Sequence, residues 1–264
     1  MSLPASIWLV GAGNMGGAML RRWVASGVDP ASIVAIDPGA PDVPLGVRLV
    51  AVPPVGETPD VLVLAIKPQL LDTVAPTLAA ARPALLVSIL AGVESVTLAA
   101  HIPSGAVVRA MPNLPVAIGK GVVALYSGDA DAAGRATAEA LMAPLGLVEW
   151  INDEALFHAI VALSGSGPGF VYRFIDALAE GGVALGLPPA QARRFAIATV
   201  EGAAALAAGS DETLGMLADR VASPGGTTRA GLDVLDDGKA MKRLVGATLA
   251  AAARRSEDMA EAAR

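Results

Sequence analysis

The chain contains no cysteine, two histidines and two tyrosines among 264 residues. Without cysteine there is no disulfide framework, no thiolate nucleophile and no thiolate metal ligand. The histidines are His101 and His158, the tyrosines Tyr126 and Tyr172, and the lysines Lys67, Lys120, Lys239 and Lys242. No His/Asp/Glu group has the spacing of a metal site, so no metal is expected. Charged residues make up only 17% of the chain and the net charge is −6, with no basic block, which argues against a nucleic-acid partner. Long uninterrupted apolar runs are also missing, because Lys67, Glu94 and Glu201 interrupt the best of them, and no membrane span is expected. The N-terminal stretch carries no basic leader, so the expected location is the cytoplasm.

Apolar residues, by contrast, are in surplus at 54%. Buried interfaces between subunits are the natural place for such an excess, since an obligate interface resembles a core cut in half. The chain reads as a homo-oligomer.

The first half alternates short β-branched runs with helical stretches. Strands are expected at 6–13, 32–37, 60–68, 84–92 and 106–113, then at 121–127, with 147–151 closing the sheet. Helices are expected at 15–26, 69–81, 95–101 and 130–143. That alternation specifies an α/β doubly wound, Rossmann-type sheet. Beyond about Asp153 the strand pattern stops. Helical stretches follow at 153–165, 169–186, 188–209, 213–222 and 229–263, the last broken near Gly238. The expected division is a dinucleotide-binding domain over 1–153 and an all-α substrate-binding and dimerisation domain over 154–264.

"GAGNMG", Gly11 to Gly16, follows the first strand and opens a helix. Glycines there permit a tight turn and let backbone N–H groups meet a pyrophosphate at the helix N-terminus. Asp37 ends the second strand, where a carboxylate bonds the adenosine ribose and repels the extra phosphate of NADPH. An equally good reading makes Asp37 the start of a turn before Pro38. Residues 38–46 are too few for a crossover helix, so this edge is abbreviated.

Catalytic bases are scarce. Glu154 and His158 stand four apart on a helix, a spacing that reads as a solvated face or a helix contact. His101 reads as a capping or surface residue and the tryptophans as core. Oxidising an alcohol calls for a base, whereas reducing a protonated imine does not, because the cation already attracts hydride. The scarcity therefore points toward a C=N substrate. "ASPGGTTRAG", 222–231, places Ser223, Thr227 and Thr228 around two glycines before a helix, and "SGSGPG", 164–169, has the same character. Such turns suit a small carboxylate, although each alone also reads as an ordinary helix connection.

"GAGNMGGAM", "AIKPQ", "RAMPNLPV", "ALSGSGPGFVYRFIDALAEGGVALGLP" and "VASPGGTTRAGLDVL" together resemble the motif series of the pyrroline-5-carboxylate reductases, in order and over nearly the whole chain. The resemblance implies reduction of 1-pyrroline-5-carboxylate to L-proline with NAD(P)H, the last step of proline synthesis. It also implies a Rossmann domain followed by a helical domain that interlocks with a second subunit, commonly as a decamer of five dimers. Carried over residue by residue, Gly11, Gly13, Asn14, Met15 and Gly16 hold the pyrophosphate. Lys67, Pro68, Ala91, Gly92, Met111, Pro112 and Asn113 line the nicotinamide end. Ser223, Gly226, Thr227 and Thr228 hold the substrate carboxylate, with the Thr228 hydroxyl near the ring nitrogen as the catalytic group. Leu114 replaces the family's usual threonine and Gly169 its usual alanine, and the segment after Asp37 is short. Other readings are a related imine reductase, a β-hydroxyacid dehydrogenase and a non-catalytic nucleotide-binding oligomer. Residues 153–186 lack the lysine that the β-hydroxyacid dehydrogenases carry.

Overall fold

The computed structural model describes residues 3–261, so the ends of both expected domains, 1–2 and 262–264, lie outside the described residues. The chain divides into two compact units. One runs to Ser166 and resumes at Ala252; the other comprises Gly167–Ala251.

The first unit is built on an eight-stranded sheet of order β3-β2-β1-β4-β5-β6-β7-β8. Its strands are β1 (Ile7–Val10), β2 (Ile33–Ile36), β3 (Arg48–Val50), β4 (Val61–Leu64), β5 (Leu85–Ser88), β6 (Ala106–Pro112), β7 (Gly121–Tyr126) and β8 (Gly146–Trp150). Strands β1 to β6 pair in parallel, β7 turns antiparallel to β6, and β8 runs parallel to β7. The four central apolar strands β1, β2, β4 and β5 are buried along their full length. Alternation sends Ile7 and Leu9 into one core with Met19, Trp23 and Leu141, and Trp8 and Val10 into the other with Leu78, Leu86 and Leu98. Each fully buried side chain of this size stabilises the fold by roughly 1.5–3 kcal/mol.

Helix α1 (Asn14–Ala25) lies on the first of these faces, tied by the Trp23 indole N–H to the Leu141 carbonyl at 2.7 Å. Its neighbour α4 (Ala132–Met142) starts where the Asp131 side chain accepts from the Gly134 N–H, the expected capping chemistry. Two elements depart from the sequence pattern. Strand β3 was not expected; it reaches the sheet edge through 37–47 without a helix, and its half-exposed short run carries little apolar signal. The expected helix at 69–81 is instead a 3-10 turn, a single α-turn α2 (Leu71–Val74) and another 3-10 turn. Pro76 removes an N–H group that a continuous helix needs. Helix α3 (Ser95–His101) forms as expected.

After β8 come α5 (Phe157–Ile160), a π-turn at Val161–Gly165, and α6 (Gly167–Ala184). Helical structure over Glu154–Ala184 is long and apolar enough, by length and composition, to cross a membrane, which the reading of interrupted runs had not anticipated. The second unit continues with α7 (Pro189–Ala208), α8 (Leu214–Arg220) and α9 (Thr227–Asp236). Gly186 turns the chain between α6 and α7 at φ +99°. Gly238, at φ +52°, breaks the last helical stretch before α10 (Ala240–Glu261), as expected. No residue of α6 is buried, and Phe170, Tyr172, Phe174, Phe195, Leu206 and Leu244 are all exposed. That apolar surface is the excess the composition announced.

Candidate active site

The glycine loop owes its shape to crowding at three positions and to space at a fourth. Gly11 leaves β1 at φ +93°, and a Cβ there would stand 2.7 Å from the Ala65 carbonyl oxygen. A Cβ on Gly16 would collide with the Gly11 carbonyl, and one on Gly17 with that of Ala12. These contacts press α1 onto the ends of β1 and β4. At Gly13 a Cβ would meet nothing within 4 Å. Gly13 is the N-cap of α1 and no side chain caps it. Free N–H groups at an open helix N-terminus form an anion cradle, so the loop fits a pyrophosphate. Gly13 and Asn14 are exposed at its mouth, and Met15 packs against the core beneath.

Asp37 serves the loop and the turn together. One carboxylate oxygen accepts from the Ala12 N–H and the other from the Gly39 N–H, both at 2.8 Å. A groove of about 620 Å³ runs past Gly11, Gly13, Asp37 and Lys67, and Lys67 is the only cationic side chain bordering it among the described residues. The groove thus offers one carboxylate and one ammonium.

The residues carried over to the nicotinamide end lie at or just beyond the C-terminal ends of β4, β5 and β6, but they do not share one cavity. Pro68 and Ala91 border a groove of about 660 Å³ with His101 and Arg255. Gly92 and Met111 border a cavity of about 290 Å³. Gly92 has φ +76°, and a Cβ there would stand 3.3 Å from the Ala260 Cα of α10. Pro112 and Asn113 are buried. The Asn113 amide donates to the Ser164 carbonyl at 2.9 Å, and its oxygen accepts from the Val122 N–H at 2.8 Å. It fastens the end of β6 to the π-turn. Leu114, which follows it, is exposed.

The smaller cavity contains a group that sequence spacing misassigned. Glu154 neither pairs with His158 nor faces solvent freely. Its carboxylate accepts from the Ser95 N–H at 2.7 Å, the Ser95 hydroxyl at 2.8 Å and the Arg109 guanidinium at 2.9 Å. Arg109 is almost wholly buried and stacks 4.2 Å from the Phe157 ring centre. Burial lowers its pKa, opposed by the hydrogen bond it donates to Glu154. Removing one partner of such a pair costs about 3–5 kcal/mol, because the other charge stays buried and unpaired. The partners are separated by 45 residues in the chain, so no local signal announced the pair. The histidines are engaged elsewhere: His158 Nδ1 with the Ser256 hydroxyl at 3.0 Å, and His101 with the Thr97 carbonyl and Asp72.

In the second unit, Val221 to Gly226 join α8 to α9, and Thr227 and Thr228 open α9. Gly225 sits at φ +70° and Gly226 is the N-cap of α9, again without a side-chain cap. The Gly226 N–H donates to the Ser223 carbonyl at 2.9 Å, closing the turn. Ser223, Thr227 and Thr228 are exposed, and neither threonine hydroxyl is bonded to another described residue. Arg229 is held to Asp219 at 2.7 Å, and that hydrogen bond raises its pKa. The Ser164 hydroxyl of the other Ser/Gly stretch is already committed to the Ile160 carbonyl. At Gly169 a Cβ would meet nothing within 4 Å, so the missing alanine is not a steric requirement.

Known proteins match this arrangement. Residues 154–259 match the family model for pyrroline-5-carboxylate reductase dimerisation, and 6–92 the model for NADP oxidoreductase, coenzyme F420-dependent. The pyrroline-5-carboxylate reductase of Pseudomonas aeruginosa is 36% identical over 99% of this chain and 98% of its own length. That of Synechocystis is 41% identical over 76% of this chain and 75% of its own. The solved structure of a pyrroline-5-carboxylate reductase from Coxiella burnetii superposes with a TM-score of 0.86 at 30% identity, covering 96% of this chain and 98% of that one. The chain belongs to the pyrroline-5-carboxylate reductase family.

Proposed function

We propose that the protein reduces 1-pyrroline-5-carboxylate to L-proline with NAD(P)H, the last step of proline synthesis. The observation that carries this reading is a pair of helix N-termini, one in each unit, each with a glycine N-cap and no side-chain cap bond. The first suits the dinucleotide pyrophosphate, the second the substrate carboxylate. The reduced nicotinamide supplies hydride to the imine carbon.

The protein's own residues bind and orient. Gly11, Gly13, Asn14, Met15 and Gly16 cradle the pyrophosphate, Asp37 faces the ribose, and Lys67, Pro68, Ala91, Gly92, Met111, Pro112 and Asn113 build the nicotinamide side. Ser223, Gly226, Thr227 and Thr228 hold the carboxylate, and the Thr228 hydroxyl orients the ring nitrogen. His101 has both ring nitrogens engaged, and a protonated imine needs no base. With Asp37 and a single lysine bordering the groove, the chemistry favours NADH over NADPH.

Residues 154–264 form the substrate-binding and oligomerisation domain in this reading. The exposed apolar faces of α6 and α7 are covered by a second copy, and five such dimers assemble into a decamer in the cytoplasm. The polar residues Arg173, Asp176 and Glu180 on α6 favour a protein partner over lipid for its apolar surface.

The test follows loss of the reduced-nicotinamide absorbance with pyrroline-5-carboxylate, with NADH and NADPH in parallel. Turnover faster with NADH supports both the reaction and the Asp37 assignment. Faster turnover with NADPH overturns the Asp37 assignment alone. Cofactor binding without turnover overturns the reaction.

A further inference from the structure

Gly92 and Met111 share their cavity with Arg109 and Glu154. We propose that Glu154 is a positioning residue for cofactor binding, acting through the loop 91–95. The proposal rests on the dinucleotide reading of the first unit, though not on the imine substrate.

The loop between β5 and α3 is anchored at Val93, which is buried in the core. It passes through Gly92 at a positive φ, and the N-cap of α3, Glu94, has no side-chain cap bond. Glu154 supplies that cap from outside. One of its oxygens takes the Ser95 N–H at the first position of α3, and the other takes the Ser95 hydroxyl. The same carboxylate is anchored to Arg109, two residues before Met111 on β6. One side chain thus fixes the spacing between the two strand ends, β5 and β6, whose loops border the cavity. Arg109 cannot turn away, because it is buried between Glu154 and the Phe157 ring. A loop ordered before the cofactor arrives loses less entropy on binding, so the network raises affinity without touching the ligand.

The experiment titrates NADH into the full-length protein and follows the reduced-nicotinamide fluorescence, a readout independent of turnover. Wild type, Glu154→Gln and Ser95→Ala are compared, with melting temperatures measured alongside. Glu154→Gln is expected to weaken NADH by about tenfold, the equivalent of about 1.4 kcal/mol. Ser95→Ala removes one hydroxyl bond only and is expected to weaken NADH about threefold with the melting temperature unchanged. Where turnover is measurable, the KM for NADH rises and the KM for the imine does not. Unchanged NADH affinity in Ser95→Ala overturns the proposal, even if Glu154→Gln fails to fold. A lowered melting temperature with unchanged affinity in Glu154→Gln makes the network purely structural and overturns it equally. Wild type that binds NADH but leaves the imine untouched defeats the reaction, while the affinity comparison still reads the positioning role.

Discussion

The loops at 11–16 and 223–228 share a form and differ in their surroundings. Both end in a glycine N-cap with extended backbone, both lead into a helix of at least ten residues, and neither helix has a side-chain cap. The first is wedged into the sheet: Gly11, Gly16 and Gly17 each leave no room for a methyl group, while Gly13 faces open space. The second is wedged into nothing. Only Gly226 is crowded, and only by its own neighbour Ser223, while Gly225 has open space around it. One loop is rigid because a core surrounds it. The other lies exposed in a unit whose helices bury few side chains, and it presents the hydroxyls of Ser223, Thr227 and Thr228 to solvent.

That contrast can be broken from either side. Gly16→Ala forces a methyl group into the Gly11 carbonyl and is expected to cost about 3 kcal/mol in chemical denaturation, with cofactor binding lost. Gly13→Ala, three residues away, is expected to leave stability within about 0.5 kcal/mol. It should nonetheless weaken NADH by about tenfold in a fluorescence titration. Equal stability losses in the two variants would remove the distinction between wedge and cradle. Thr228→Ala is expected to lower kcat by about a hundredfold, the effect of losing one hydrogen-bond donor at a reacting centre. Its exposure predicts an unchanged melting temperature, and Thr228→Ser should retain most of the rate. An unaltered kcat would take Thr228 out of the reaction. The smallest effect is at Gly225, where alanine at φ +70° should cost about 1 kcal/mol in stability.

Much of this was legible because the signals are local. The apolar runs of β1, β2, β4 and β5 could only be buried strands, and the glycine loop sits between a strand and a helix as its spacing implied. Gly238 broke the final helix where a flexible residue interrupts an Ala-rich stretch. Strand β3 escaped notice because Arg48–Val50 is short and half-exposed, and what makes it a strand is pairing with β2. The helix at 69–81 fragmented where Pro76 interrupts the ladder. Glu154 was read from its spacing to His158, yet its partners Ser95 and Arg109 lie 59 and 45 residues away. Asn113 was assigned to the nicotinamide side on resemblance, and the structure commits its side chain to the π-turn and β7.

The sequence by itself determined the order of elements, the place of the glycine loop, the shortage of bases and the hydroxyl-rich turn, because each depends on residues adjacent in the chain. Only the tertiary structure decided which glycine stands open, which carboxylate anchors the loop beside Gly92, and where the Asp37 oxygens are spent. Those outcomes follow from packing and hydrogen bonding between segments distant in sequence, where crowding and burial select one partner among many that composition allows.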